Sequence, residues 1–581
     1  MARKHRAPDH REIIAKFERA YDFNEKIGLY DQVRVNEDFF IGKQWGGVRS
    51  NGHPTPSINI FKRIINFQVS TITSDNLAIR ASGMPSTSRF LQKQVDKICE
   101  IINQQLVAIM ERCKIVSKNR EFLRDAAVTG DGCLHYYFDP TIRNGQDVTG
   151  EIQAEVLSNL RVHFGNPNSK DVQSQPYIIL SRRDMLEELR WHIEDLKDLG
   201  KEDGETYTKI KDPDSIQPDS EKFQNDYDSY STDKVTVLTY YWRNRETRTI
   251  WCMEVTENEV IREPFDTELK YYPLVWLCWD HIRDCYHGQA MVTGLLDNQK
   301  AINKLNALTI MSLMTLAFPK VAYDKTKIKR WTGDVGVSIG VNGNVDNVAK
   351  VIEGASVSPQ VAQFIELFFD KTHSVLGASD VAMGDSRPDN TSAIIALQRA
   401  ANTPMELVKQ NNYQALEDSA IIFVDMMRVY YGIRMVEVKM DMDEAGQQPL
   451  GMNLEPQVFL QPFDFSTLED VQVSIRLDVG ASSYWSELAN VQTLENLLIN
   501  DRINTVQFLE RLPDGYLAKK QELIDELKAS MAPALPPAAP MAGPMPDSGT
   551  GMSMETTSEE MPVRGGSGNG ALQRALNAEG A

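Results

Sequence analysis

The sequence is 581 residues long, enough for large buried cores and for more than one domain. Its 81 acidic side chains outnumber its 62 lysines and arginines, which gives a formal net charge of −19. This balance argues against a surface that binds nucleic acid by bulk attraction, because that affinity comes mainly from cationic groups. It does not exclude a protein along which DNA slides, and net negative charge also favours solubility in general.

No processing or redox signal stands out. Residues 1–11 are basic and polar with no apolar stretch behind them, which argues against a signal peptide. The longest apolar-rich run, residues 305–318, is too short to span a bilayer, so no membrane partner is expected. The six cysteines form no Cys-x-x-Cys pair and are expected to be buried or free thiols in a reducing compartment. They are Cys99, Cys113, Cys133, Cys252, Cys278 and Cys285.

Residues 10–280 show a mixed pattern of helices and strands. Helical periodicity covers residues 10–28, 58–81 (passing into a strand), 89–128 and 184–199. Strand patterns cover residues 133–138, 151–162, 177–181, 235–242, 250–255 and 273–279. An aromatic cluster at residues 36–45 is interpreted as a local packing unit. The polar residues 200–233 are expected to form a surface loop.

A long helix is predicted at residues 291–317, where apolar side chains recur at helical spacing until Pro319 ends the pattern. On periodicity alone it could equally be a core helix of an α/β enzyme. A strand-and-turn region follows at residues 320–356. Ser358 and Pro359 then have the residue types of a helix N-cap and first turn, so a second helix is expected there.

A loop rich in turn-forming and charged residues, 378–390, separates this second helix from a third helical run that ends near Tyr431 and contains Pro404. Strands are predicted beyond it at residues 435–442 and 471–479, and two helices at residues 483–512 and 516–530. Residues 531–570 are dominated by Pro, Ala, Gly, Met and Ser and are expected to be disordered.

Sequence signatures of catalysis are not apparent. The sequence has no G-x-x-x-x-G-K-[ST] motif, which argues against an ATP-driven motor, and no H-E-x-x-H or G-x-S-x-G motif. The cluster most similar to a metal site comprises Asp280, His281, Asp284, Cys285 and His287. Carboxylate, imidazole and thiolate groups are suitable metal ligands. The cluster precedes a predicted helix, however, where a polar loop is expected whether or not a metal binds. A metal-dependent nuclease or other hydrolase with its site there is the alternative function; otherwise we expect no cofactor.

A basic cluster lies within the strand-and-turn region. It comprises Lys325, Lys327, Lys329, Arg330 and Trp331. Lysines at a hairpin edge discourage pairing with other strands. The cluster therefore predicts either edge protection or a surface on which a partner docks.

The order of elements from residue 288 to 431 resembles that of tailed-bacteriophage portal proteins of the podophage type. The segment LLDNQKAINKLNAL…AFPKVAYD resembles their stem, and the aromatic-Gly-Gln-Trp segment at residues 36–45 resembles a segment near their start. The resemblance implies an α+β fold with an α/β wing, long stem helices, a small β clip and a helical crown. By position these parts are wing 1–287, stem helix 288–319, clip 320–357, second stem helix 358–377, tunnel loop 378–390, long kinked helix 391–432, wing strands 433–482, crown 483–530 and disordered tail 531–581.

The resemblance also implies a structural function without catalysis. The chain would form a ring, usually dodecameric in this family, at one capsid vertex, where it is the channel for genome packaging and ejection. Its partners would be double-stranded DNA, the terminase large subunit, the head–tail adaptor, and the major capsid and scaffolding proteins. It would assemble in the host cytoplasm and remain in the virion. Another structural virion protein, such as an adaptor, is a further alternative, although adaptors are usually much shorter.

The tunnel loop would face DNA in the channel. The resemblance places there Met383, Gly384, Asp385, Ser386, Arg387, Pro388, Asp389 and Asn390. The loop carries Asp380, Asp385 and Asp389 against the single cation Arg387, which argues against a tight grip on phosphates. An ordinary surface connection between two helices is the alternative.

Overall fold

A computed structural model describes most of the chain between residues 8 and 524. The described ranges are 8–74, 77–83, 89–198, 234–317, 320–328, 330, 338–346, 348–352, 359–375, 405–439, 458–469, 471, 473–479, 494–495, 497–499, 502–512, 520 and 523–524. The chain divides into two compact units, Met1–Gln492 and Thr493–Ala581. Within the described residues, no helix is both long and apolar enough to cross a membrane.

Helices and strands are mixed along the larger unit, which confirms the expected α+β class. In its first part they are α1 (His10–Lys26), α2 (Leu29–Ile41), α3 (Ile60–Ile72), β1 (Leu77–Gly83), α4 (Arg89–Arg112), α5 (Ile115–Thr129), β2 (Asp131–Asp139), β3 (Glu151–Leu157), β4 (Val162–Phe164), β5 (Tyr177–Met185), α6 (Leu186–Asp198), β6 (Lys234–Arg243), β7 (Ile250–Val255), β8 (Val260–Asp266) and β9 (Leu274–Cys278).

The second part of the larger unit is dominated by three long helices. Its elements are α7 (Leu296–Ala317), β10 (Lys320–Tyr323), β11 (Ala349–Ile352), α8 (Pro359–Val375), α9 (Glu406–Tyr430), β12 (Ile433–Lys439), β13 (Val458–Asp464) and β14 (Val473–Val479). A short 3₁₀ turn, Thr293–Leu295, precedes α7. The smaller unit contains α10 (Thr505–Arg511).

The strands form antiparallel sheets. The largest has the order β4-β5-β6-β7-β8, and a three-stranded sheet has the order β3-β2-β9. Three further pairs are β1 with β14, β10 with β11, and β12 with β13. The β1–β14 pair joins Leu77 to Val479 and so brings distant parts of the chain together.

The main hydrophobic core lies where helices pack on the three-stranded sheet. Tyr136 of β2 is fully buried and stacks edge-on against Phe423 of α9, with ring centroids 4.7 Å apart. Its hydroxyl donates a 2.7 Å hydrogen bond to the Ser419 hydroxyl. Phe122 and Leu123 of α5 belong to the same core. Burial of such large side chains is the dominant favourable term in folding.

The single helix predicted at residues 89–128 is wrong, because the structure breaks it into α4 and α5. The break falls at Cys113 and Lys114, and Lys114 has a left-handed backbone with φ 51°. Cys113 is buried and its thiol donates to the Ile152 carbonyl oxygen at 3.1 Å. The turn lets α4 pack against β1 while α5 packs against β2 and β3, a tertiary preference that helical periodicity does not reveal.

The packing unit expected at residues 36–45 is in part the end of a helix that the sequence analysis missed. Asn36 and Glu37 of α2 are buried although they are polar. Asn36 donates to the Val128 carbonyl oxygen at 3.0 Å, and Glu37 pairs with Arg124 of α5. Because these contacts come from α5, the pattern within α2 alone did not indicate an amphipathic helix. Strands β8 and β13 were also missed.

The predicted helix 483–512 is also interrupted where the structure describes it. Arg502 and Ile503 form a bend, and Asn504 then caps α10 with its side chain in a capping box with Gln507. Val506 and Leu509 of α10 pack on Ile524. The six cysteines are free thiols and five of them are buried, as expected. The surface loop at residues 200–233 and the tail at residues 531–581 lie outside the described residues.

Candidate functional site

The most distinctive feature of the larger unit is a helix–hairpin–helix module made of α7, β10, β11 and α8. β10 and β11 pair antiparallel from Lys320 opposite Ile352 to Tyr323 opposite Ala349. Helices α7 and α8 contact each other, and Phe368 packs on Ile302 and Ile64. The strand-and-turn insertion between two helices is therefore confirmed.

Polar side chains fix the first half of α7 to the rest of the unit. Gln299 and Asn303 are almost fully buried. Gln299 donates to the Ile58 carbonyl oxygen at 2.6 Å, and Asn303 donates to the Gln44 side-chain oxygen at 2.6 Å. Gln44 in turn donates to the Phe39 carbonyl oxygen at 3.1 Å. Buried polar groups are stable only when they are paired in this way, so these bonds fix the position of α7.

The approach to α7 passes through a close backbone contact between two glycines. A Cβ on Gly130 would lie 2.5 Å from the Gly288 carbonyl oxygen, and one on Gly288 would lie 2.9 Å from the Gly130 carbonyl oxygen. Gly130 also has φ 106°, which side chains rarely allow. The two glycines thus let the loop before α7 lie directly against the start of β2.

The buried carboxylate of Asp131 stabilises this contact between the two glycines. Asp131 is fully buried and accepts a 2.7 Å hydrogen bond from the Gly288 backbone N–H. His287 Nδ1 lies 2.7 Å from the other Asp131 oxygen, and His287 Nε2 lies 3.1 Å from the Asn24 side-chain oxygen. Charge-assisted bonds of this kind are among the stronger hydrogen bonds in proteins. They connect α1, β2 and the segment that leads into α7.

A second histidine next to this network has no hydrogen-bond partner among the described residues. Both ring nitrogens of His163 are buried and unpaired. Its ring lies edge-on to Phe17 with centroids 5.0 Å apart. Burial, and to a lesser degree the neighbouring His287, lowers the pKa of His163 to about 3. His163 is therefore neutral in the folded protein at neutral pH.

In contrast to its first half, the second half of α7 leaves large apolar side chains in solvent. Leu308, Leu313, Met314 and Leu316 are each 50–52% exposed. On α8, Phe364 and Leu367 are 49% and 50% exposed. Large apolar side chains exposed on two helices that contact each other are typical of an interaction site.

The basic cluster lies in the turn that follows β10. Lys325 and Arg330 are exposed and Lys327 is half-buried, while Lys329 and Trp331 lie outside the described residues. Asp324 orders the turn by accepting hydrogen bonds from the backbone and hydroxyl of Thr326 at 2.9 and 2.6 Å. The described cations of the cluster therefore follow the strand instead of lying in it.

The side chains of the metal-like cluster, residues 280–287, do not form a common metal site. Asp280, His281 and Asp284 are exposed, whereas His287 points into the buried contact with Asp131. Burial raises the pKa of the Cys285 thiol, which disfavours the thiolate that a metal requires. Within the described part of the chain, no group of three or more His, Cys, Asp or Glu side chains is arranged to hold a metal ion.

The tunnel-loop residues 383–390 and Pro404 lie outside the described residues. Sequence reasoning missed the residues that fix α7, namely Asn24, Gln44, Asp131, Gln299 and Asn303. Two of them carried a signal, because Gln299 and Asn303 are amides one helical turn apart and so lie on the same face of the helix.

Comparison with known proteins finds one family. The model of the phage P22-like portal protein family matches residues 181–501, more than half of the chain. This span contains the whole helix–hairpin–helix module and the residues between it and β14. No curated protein matches the chain.

Proposed function

The chain belongs to the phage P22-like portal protein family, and we propose that it acts as one subunit of a closed ring whose central channel carries DNA during packaging and ejection. The family is structural, and a phage portal is a component of the virion. No observation on the described residues favours the nuclease or hydrolase alternative, because its candidate ligands are not among any described group arranged to hold a metal ion.

The observation that supports the ring is the contrast between the two halves of α7. The first half is fixed by buried hydrogen bonds through Gln299 and Asn303. The second half, with α8, exposes apolar side chains along its surface. A closed ring needs a heterologous interface, in which one face of each subunit covers a different face of the next. We assign this apolar surface to that interface.

The remaining parts are proposed by position. Residues 1–287 and 433–482 form the wing, α7 and α8 form the stem, residues 320–357 form the clip, and residues 483–530 form the crown. Residues 378–390 are proposed as the tunnel loop.

Replacing Met383–Asp389 with a Gly-Ser pair tests the assignment of the tunnel loop. Assembly should remain intact and the length of packaged DNA should fall, because the loop would line the channel. Normal packaging would contradict this assignment.

The clip is proposed to face the terminase large subunit during packaging and the head–tail adaptor afterwards. Major capsid and scaffolding proteins would surround the ring at its vertex, and assembly would take place in the host cytoplasm. A dodecamer is the expected ring size. Family membership and the position of the basic cluster in the turn after β10 support these proposed partners.

The ring interface is tested by introducing charge into the apolar surface. The double variant Leu313→Lys/Leu316→Lys should lose the large assembly, because lysines facing an apolar surface of the neighbouring subunit would be desolvated without a partner. Light scattering coupled to size-exclusion chromatography measures the mass. The matched control is Val116→Lys, which changes an apolar side chain of similar exposure on α5. Equal assembly of the double variant and the control would contradict the proposed interface.

A further inference from the structure

A cleft of about 350 Å³ lies between α4, the loop that joins β2 to β3, and the start of β12. It is lined by three arginines, Arg112, Arg143 and Arg434, and by a single carboxylate, Glu151. The lining therefore has a local excess of two positive charges, although the chain as a whole has a net charge of −19. The cleft is separate from the helix–hairpin–helix module.

Glu151 is already engaged inside the cleft. Its carboxylate pairs with Arg112 and with Arg434, the latter at 3.1 Å, and accepts a 2.8 Å hydrogen bond from the Asn144 amide. Burial alone would raise its pKa, but the Asn144 amide and the two arginines hold the pKa below its ordinary value of 4.5. Glu151 therefore stays ionised and neutralises one of the three guanidinium groups.

Arg434 is 5% exposed but is incompletely paired. One terminal nitrogen donates to Glu151 and the other donates to the Gly150 carbonyl oxygen at 2.6 Å. Its Nε–H has no hydrogen-bond partner among the described residues. The guanidinium lies over the Tyr431 ring at 3.7 Å, which holds its plane in place. A buried donor without a partner is costly, so its retention points to a ligand that accepts from it.

Arg143 lies at the mouth of the cleft. It is exposed, and no carboxylate of the described residues lies within ion-pair distance of it. The loop that carries it is held in place, because Met435 and Gln146 exchange two hydrogen bonds of 3.0 and 3.4 Å. The Gly150 N–H also donates to the Ile142 carbonyl oxygen at 2.8 Å. The arginines are thus presented by ordered backbone and not by a loose surface.

We propose that this cleft is a binding site for a phosphate group. Guanidinium groups match phosphate oxygens with paired N–H donors. The excess of two positive charges favours an anion, and the several oxygens of a phosphate group can accept from more than one guanidinium. A volume of about 350 Å³ holds one such group but not a folded segment or a duplex. The source is either free phosphate or a phosphate of the nucleic-acid backbone that reaches the mouth of the cleft.

The test is calorimetric titration of the full-length protein with inorganic phosphate, in buffer free of phosphate and sulfate and at constant ionic strength. One phosphate should bind per chain, and sulfate but not chloride should compete. Arg143→Ala should weaken binding about tenfold, as the loss of one charge-assisted contact implies. The control Arg245→Ala removes an exposed arginine from a different arginine-containing cleft, near Lys16 and Trp242, and should bind like wild type.

Absence of phosphate binding, or equal affinity of the Arg143→Ala and Arg245→Ala variants, would overturn the proposal. Arg143 is exposed, so its replacement leaves the fold intact and the comparison remains informative. A short DNA duplex distinguishes the sources: displacement of bound phosphate by the duplex identifies the nucleic-acid backbone, whereas retention of phosphate identifies a free phosphate. Phosphate binding is measured without reference to ring assembly, so a negative result here would not contradict the proposed ring interface.

Discussion

The buried side chain of His163, next to the network of Asp131 and His287, makes the stability of the folded protein sensitive to acid. His163 is held neutral with a pKa of about 3, whereas a histidine in the unfolded chain titrates near 6.5. Between these values the unfolded state binds a proton that the folded state does not. Stability therefore falls as pH falls below about 6.5, by roughly 1.4 kcal/mol per pH unit from this residue.

Replacing His163 with leucine removes that proton. Between pH 7 and pH 5, the free energy of unfolding of the variant should fall by about 2 kcal/mol less than that of wild type. Urea denaturation followed by tryptophan fluorescence at both pH values measures the difference. His281→Leu, in an exposed part of the same region, is the control and should keep the wild-type dependence. The same loss of stability in all three proteins would show that folding does not lower the pKa of His163, which would contradict this account.

The hydrogen-bond network of Asp131 and His287 shows why little of the candidate site can be predicted from a single sequence. Asp131 and His287 are 156 positions apart, and their side-chain atoms meet at 2.7 Å. His287 was noticed only as part of a metal-like group with Asp280 and Cys285, because proximity along the chain was the available clue. The partner that the fold supplies comes from β2, and no local pattern indicates it.

At the scale of elements, the glycine contact before α7 should be intolerant of a side chain. A Cβ on Gly288 would lie 2.8 Å from both the Asp280 carbonyl oxygen and the Cys278 Cβ. Gly288→Ala must therefore displace backbone and weaken the bond from Gly288 to Asp131. We expect a loss of about 1–3 kcal/mol, typical of overpacking, seen as a lower melting temperature by calorimetry.

Gly294→Ala provides the matched control for this change. A Cβ at Gly294 would meet nothing within 4 Å, and its backbone is not left-handed. This variant should melt at or slightly above the wild-type temperature, because alanine restricts the unfolded chain. Melting temperatures that are the same for the two alanine variants would contradict the role given to the glycine contact.

The turn after β10 carries the other prediction at this scale. Changing Lys325, Lys327 and Lys329 to Glu should weaken binding of the terminase or the adaptor and make the remaining binding less sensitive to salt, since rim charges act on association rate. Surface-based binding assays at two salt concentrations measure both effects. Ring assembly should be unaffected, and unchanged binding of both partners would remove docking as the role of the cluster.

Much of the element order followed from sequence, and the exceptions have physical causes. The helix–hairpin–helix order was predicted because α7 and α8 carry sustained apolar periodicity and proline or glycine at their ends. The break between α4 and α5 was not, because a lysine in a left-handed turn leaves no mark in the pattern. Helix α2 was missed because its buried Asn36 and Glu37 are satisfied by residues far along the chain.

At the scale of the whole molecule, the exposed apolar side chains of α7 and α8 have no evident role in an isolated monomer. A monomer would leave Leu313, Met314 and Phe364 in water at a cost of roughly 25 cal/mol for each Å² of apolar area that a partner could bury. Assembly into a ring through the proposed interface would remove that cost in every subunit, and it agrees with membership of a portal family.

Electron microscopy of the purified full-length protein in negative stain tests this account most directly. We expect closed rings with a central hole in views along the axis, formed over a wide range of protein and salt concentrations. Particles limited to monomers, or open chains of variable length, under all those conditions and also in the presence of scaffolding protein, would contradict the claim that this chain is a subunit of a portal ring.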